Sequence, residues 1–121
     1  MKHLKILDQI DYLQMIAGFE EARVGADALL LPTTPLPACK IGDDMETELQ
    51  GKKVNTFLTF IRNCDPISVV GYPAITVPAG YSQTGLPIEL QIVTKPWQEE
   101  KLIGLAYDFE QATKIRKPPK L

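Results

Sequence analysis

A hydrolytic nucleophile needs a base in hydrogen-bond reach and a third group to orient that base. Two serines are available for the first role, Ser68 and Ser82, and they are neither adjacent nor flanked by glycines. The one imidazole, His3, stands two residues from the start of the chain and is expected to play no part. A lysine serves as base only when burial depresses its pKa, and the ten lysines lie mainly in polar runs such as Lys52-Lys53 and the C-terminal tail. No catalytic residue is assigned on these grounds. The acidic cluster Asp43, Asp44, Glu46 and Glu48 lacks the turn glycine and fixed ligand alternation of a calcium loop, so it reads as solvated and no metal is expected. Cys39 and Cys64 have no CxxC partner spacing and read as buried structural thiols. There is no GxGxxG phosphate cradle, and no cofactor is expected. Arg62 offers a planar fork for a carboxylate or carbonyl, with Asp65 close behind it; the alternative is helix capping and a surface ion pair. Thr33 and Thr34 are either pocket lining or turn residues, the turn being the simpler reading.

The scaffold behind these residues is of ordinary composition. A chain of 121 residues, 45% hydrophobic and 23% charged, fits one α/β domain over 1–121 with a core of its own. A net charge of −2 gives no basis for nucleic acid or an anionic membrane as partner. The apolar runs fall far below the roughly 18 residues of a membrane span, and the acids of MKHLKILDQID stand where a signal peptide needs an apolar stretch. A cytoplasmic location is the default expectation.

The spacing of Ile10, Leu13, Ala17 and Val24, with Ile16 and Phe19 beside them, predicts a helix over 8–24 whose polar side carries Asp11, Gln14, Glu20 and Arg23, ended by Gly25. Ala28 to Leu31 reads as a strand apolar on both faces, as in a sheet interior, stopped by Pro32, Pro35 and Pro37. The polar segment 42–53 reads as an exposed loop. Val54, Phe57, Leu58 and Ile61 predict a helix over 54–63 that stops at Cys64-Asp65-Pro66, followed by a linker and short turn. Strands are expected at 74–77 and 88–93, and a final helix over 98–114 buries Leu102, Leu105, Ala106, Phe109 and Ala112 before Pro118-Pro119. The sum is an α/β sandwich with a mixed sheet of at least three strands and packed helices.

GYPAITVPAGYSQTGLPIELQIVT, Gly71 to Thr94, resembles the C-terminal signature of the amidase signature hydrolases, in which VPAG closes one strand and GLP opens the next. The likeness extends upstream to DALLLPTTPLPA, Asp27 to Ala38, and downstream to Glu99 and Glu110. FIRNCDPISVVGYPAITVPAG, Phe60 to Gly80, is similar to the arylacetamide branch, which includes mandelamide and indoleacetamide hydrolases. Ser68 stands where many members carry Asn, and Glu89 where many carry Gly.

The resemblance implies carboxamide hydrolysis by a Ser, cis-Ser, Lys triad held in a Gly/Ser-rich segment upstream of this signature, which these 121 residues lack. It implies a C-terminal portion of such an enzyme, inactive alone, whose partner is the missing N-terminal catalytic region or a second copy. The alternatives are a catalytically silent binding or structural relative and one subunit of a split amidase. It further implies that Arg62 and Asp65 face the substrate pocket, with Thr33 and Thr34 as further candidates. Gly71, Pro73, Gly80, Gly85 and Pro87 then serve the architecture.

Overall fold

The computed structural model describes the backbone of residues 2–43 and 45–118, and the side chains of 11–43 and 45–118. Expectations for the side chains of His3, Ile10, Asp44 and Pro119 lie outside the described residues. The chain runs through α1 (Lys2–Ala22), β1 (Leu29–Pro32), β2 (Glu46–Leu49), β3 (Lys52–Asn55), α2 (Thr56–Ile61), α3 (Asp65–Val70), β4 (Ala74–Tyr81), β5 (Pro87–Val93) and α4 (Glu99–Thr113).

β5 is the centre of a three-stranded sheet ordered β1-β5-β4. Both ladders are antiparallel, so the mixed strand directions expected are not found among these three strands. The tight β4–β5 connection imposes one antiparallel pair. β1 runs in the same direction as β4, and β5 inserts between them. Residues opposite one another share a face, so Leu29, Val93 and Ala74 line one side, and Leu30, Ile92 and Ile75 the other. On the first side Val93 packs with Ile67, Val70 and Tyr72, backed by Met15, Ile16 and Phe19 of α1. On the second, Ile92 and Val77 pack with Leu102 and Ala106 of α4, backed by Leu105 and Phe109. Two cores thus sandwich one sheet between α1 with α3 and α4, which is why β5 is the strand buried from Gln91 to Val93.

Several elements differ from the sequence reading. In α1 the packed stripe is Met15, Ile16 and Phe19, while Leu13 and Val24 are exposed and Arg23 is buried. β1 is an edge strand of this sheet, with Leu30 exposed. The segment 42–53 is exposed but is not a loop: Glu46–Leu49 pairs with Lys52–Asn55 in a hairpin. Its turn residues Gln50 and Gly51 both take positive φ, 52° and 76°, the combination that matches hairpin twist. Val54 therefore belongs to β3, and Asn55 caps α2 by accepting a hydrogen bond from the Leu58 N–H on its side chain at 2.9 Å. Phe57 and Leu58, expected on the buried side, are exposed, and Thr56 and Thr59 take the inner positions instead. Pro66 starts α3 rather than merely ending α2, because proline suits the first helical turn. Cys39 is exposed and Cys64 half-buried; the former lies in the irregular stretch after Pro37, outside both cores.

Gly71 ends α3 with φ 72°, its N–H donating to Ile67 and Ser68 carbonyls, a left-handed position that an L side chain occupies at a cost. Gly80, with φ 156°, follows the register shift after Pro78 in β4. The bulge re-aims the strand into the 82–86 turn.

Candidate functional site

The proline-rich exit of β1 folds over the start of β5 and faces α2, leaving a cavity of about 510 Å³. Its walls are mostly apolar, from Pro32, Leu36, Pro37, Phe60 and Ile88, with the Glu89 carboxylate as the one charged group among the described residues of the lining. The turn that shapes it is held locally. Thr34 Oγ1 donates to the Leu36 carbonyl at 2.7 Å, and the Thr33 N–H donates to the Glu89 carbonyl at 3.1 Å, extending the β1–β5 ladder by one residue. From the far side, the α2–α3 junction reaches the same backbone: Asn63 Nδ2 donates to the Pro32 carbonyl at 2.8 Å and Cys64 Sγ to the Thr33 carbonyl at 3.3 Å. Four hydrogen bonds therefore hold the loop over the cavity. What it can do is enclose an apolar group beside a single carboxylate.

Of the candidates read from the sequence, Thr34 lines this cavity, as does Pro87. Thr33 does not line it, and its hydroxyl shares a 3.3 Å hydrogen bond with that of Thr76. Arg62 is the exposed C-cap residue of α2, and Asp65 is exposed in the first turn of α3. The two form no ion pair with each other or with any described residue. Gly71 and Gly80 shape a helix end and a bulge, the Pro73 carbonyl accepts the Thr94 N–H at 3.1 Å, the Gly85 N–H donates to the Ser82 carbonyl at 2.9 Å, and Pro87 pairs with Tyr81. Ser82 is occupied within its turn, where its hydroxyl meets that of Thr84 at 2.8 Å and accepts the Leu86 N–H at 3.1 Å. Ser68 is exposed on α3. Among the described residues, neither serine meets a lysine.

A second constellation has no counterpart in the sequence reading. Glu20 of α1 receives the Tyr72 hydroxyl on Oε1 and the Arg23 Nη2 on Oε2, both at 2.5 Å. These two donors hold its carboxyl below the usual range, the tyrosine hydrogen bond contributing most. Burial, and then the Glu20 carboxylate, push the Tyr72 phenol up to about 12. The Arg23 side chain is only 4% exposed, and its Nε has no partner among the described residues. Glu20 and Arg23 border a polar cleft of about 340 Å³ with Lys95 and the exposed Lys101–Asp27 pair. The clamp ties α1 to the residue after Gly71. Its only sequence signal is the Glu20–Arg23 spacing of three, which on a helix brings two side chains together. Tyr72 hides inside the signature, read there only for its glycine and proline.

The known proteins that this chain resembles agree with one another. The family profile described as Amidase matches residues 4–103. The A subunit of glutamyl-tRNA(Gln) amidotransferase from Methanosarcina mazei is 41% identical over 105 residues, 85% of this chain and 21% of the relative. Its namesake in a Geobacter species is 37% identical over 118 residues, 96% of this chain and 22% of the relative. Among solved structures, a crystal structure of an amidase superposes with a TM-score of 0.78 at 30% identity, over 85% of this chain and 23% of that one. A 6-aminohexanoate cyclic dimer hydrolase gives 0.62 at 34% identity, over 72% and 19%. The chain thus spans about a fifth of the length of the curated relatives it matches. With 100 consecutive residues under one family profile and the same backbone path in solved members, the chain belongs to the amidase family.

Proposed function

We propose that this chain forms the C-terminal part of a carboxamide-hydrolysing amidase whose Ser, cis-Ser, Lys triad lies outside these residues. The observation that carries the reading is the superposition of 85% of the chain on 23% of an amidase at 30% identity. In this reading the 121 residues supply walls, not reacting atoms. The 510 Å³ cavity receives the acyl side of the amide, with Phe60, Leu36 and Ile88 as apolar contacts. Its size and lining favour an aryl or aliphatic acyl group, in line with the arylacetamide branch suggested by Phe60 to Gly80. Arg62 caps the end of α2 that carries Phe60 and Asp65 opens α3 just beyond, both exposed and free to meet the polar end of a substrate or the remainder of the enzyme.

A second reading follows from the curated relatives, which are named as the A subunit of glutamyl-tRNA(Gln) amidotransferase. On that reading the amide is polar and the cavity's apolar wall packs against protein instead. NMR titration of the labelled chain with phenylacetamide separates the two. The aryl reading expects shifts at Thr34, Phe60 and Ile88, and loss of those shifts in Phe60→Ala. Absence of shifts at millimolar phenylacetamide, or shifts confined to another surface, contradicts it.

A further inference from the structure

Every described residue lining the cavity beside the proline loop is uncharged except Glu89. The sheet around Glu89 offers no cation either. β5 sets it opposite Pro78 of β4, and the Thr33 N–H bonded to its carbonyl sets Thr33 opposite it on the β1 side. Two residues away along its own strand, on the same face, stand Pro87 and Gln91. Glu89 takes part in no ion pair among the described residues. The hydroxyls of the lining are engaged locally, Thr34 with the Leu36 carbonyl and Ser82 with Thr84 and the Leu86 N–H. A ligand seated here therefore meets one formal charge, and it is negative.

Phe60 belongs to the same lining. An aromatic ring attracts a cation to its face, and a carboxylate attracts one more strongly where apolar walls displace water. The two groups favour the same ligand charge. A neutral acyl group gains nothing from Glu89, and an anionic one is repelled by it, with no lysine or arginine in the lining to offset the repulsion.

We propose that Glu89 sets the charge preference of this cavity, so that the acyl group it takes is an aryl or aliphatic stem bearing an ammonium. The inference rests on the proposed role of the cavity as the acyl site. The stem lies against Leu36, Phe60 and Ile88, and the ammonium is held by the Glu89 carboxylate and the Phe60 ring. No bond or proton is exchanged at Glu89, which selects the substrate and takes no part in the chemistry.

Three ligands of one shape test this by NMR titration of the labelled 121-residue chain at pH 7: phenylacetamide, its para-aminomethyl derivative, which is a cation, and its para-carboxyl derivative, which is an anion. At Thr34, Phe60 and Ile88 the cation should bind about fivefold more tightly than phenylacetamide, the value of a well-placed ion pair at a partly exposed site, and the anion more weakly than either. Salt at about 0.5 M should compress that order in the unaltered chain. Glu89→Gln, which keeps the shape and removes the charge, should bring the cation and the anion to similar affinities. Equal binding of all three ligands at these residues, or an order that neither salt nor Glu89→Gln changes, overturns this inference and leaves the cavity as an acyl site. Absence of shifts with any of the three overturns both. The salt series uses the unaltered chain and decides the question even if the variant fails to fold.

Discussion

Leu102 is the residue on which the α4 core is best tested. It is 4% exposed and packs with Val77, Ile92 and Ala106 under the sheet. Truncation to alanine removes three buried carbons and leaves a void that two strands and a helix can only partly fill. Burial this complete puts the cost near the middle of the Leu→Ala range, about 3 to 4 kcal/mol. That is a large share of the roughly 5 to 15 kcal/mol holding a domain together. Phe109, further down the stripe, is only half-buried, so Phe109→Ala should cost less than a fully buried aromatic, about 2 to 3 kcal/mol. Glu46→Ala provides the contrast. It breaks the exposed 2.9 Å bond to Lys53 in the hairpin and should change stability by no more than about 0.5 kcal/mol. Urea melts of the three variants, run at equal low concentration because association shifts apparent stability, should give midpoints in the order Glu46→Ala, Phe109→Ala, Leu102→Ala from highest to lowest. Equal midpoints for Leu102→Ala and Glu46→Ala would show that α4 does not pack on the sheet.

Tyr72 should ionise near pH 12, and the tyrosinate absorbance of Tyr72→Phe should lack that step. Because its folded pKa lies above the ordinary 10, its contribution to stability is complete below pH 10 and is lost as pH rises toward 12. Glu20 has the opposite sign, since its folded pKa is depressed below 4.5; its contribution is present above that value and lost as pH falls through the lowered one, a loss that acid melts should find reduced in Tyr72→Phe. Gly71→Ala places an L side chain at φ 72° with open space around it, so it should cost about 1 kcal/mol from backbone conformation alone, visible as a small fall in urea midpoint without change in slope. The isolated chain should release no ammonia from indoleacetamide or benzamide.

The parts of the fold legible in the sequence are those whose period is enforced by burial. α4 repeats Leu102, Leu105, Ala106 and Phe109 because one face meets the sheet, and β5 is apolar because both of its faces are covered. β1 shares that apolar look while lying at an edge, since nothing in a run of three leucines tells whether the second is covered inside this chain. The β2–β3 hairpin was not legible for the opposite reason. It buries almost nothing, so only Thr47, Leu49 and Val54 alternate inward, and the decisive signal is conformational, at Gln50 and Gly51. Pro66 had two meanings, helix stop and helix start, and its neighbours chose the second. For the site, the proline loop announced a boundary, but the cavity depends on Phe60 and Ile88 arriving from elements far apart in sequence. The Glu20–Tyr72 hydrogen bond joins residues 52 apart, so the local Glu20–Arg23 spacing gives no sign of the tyrosine.

The proposed function requires that these residues complete an amidase while supplying none of its reacting groups. A chimera tests it most directly: this chain replaces the matching fifth of a family amidase, and ammonia release from that enzyme's own carboxamide is measured. Hydrolysis by the chimera is expected, with none by the isolated chain and activity insensitive to Ser68→Ala and Ser82→Ala. A well-folded chimera without hydrolysis, or activity in the isolated chain that disappears with either serine, would contradict it.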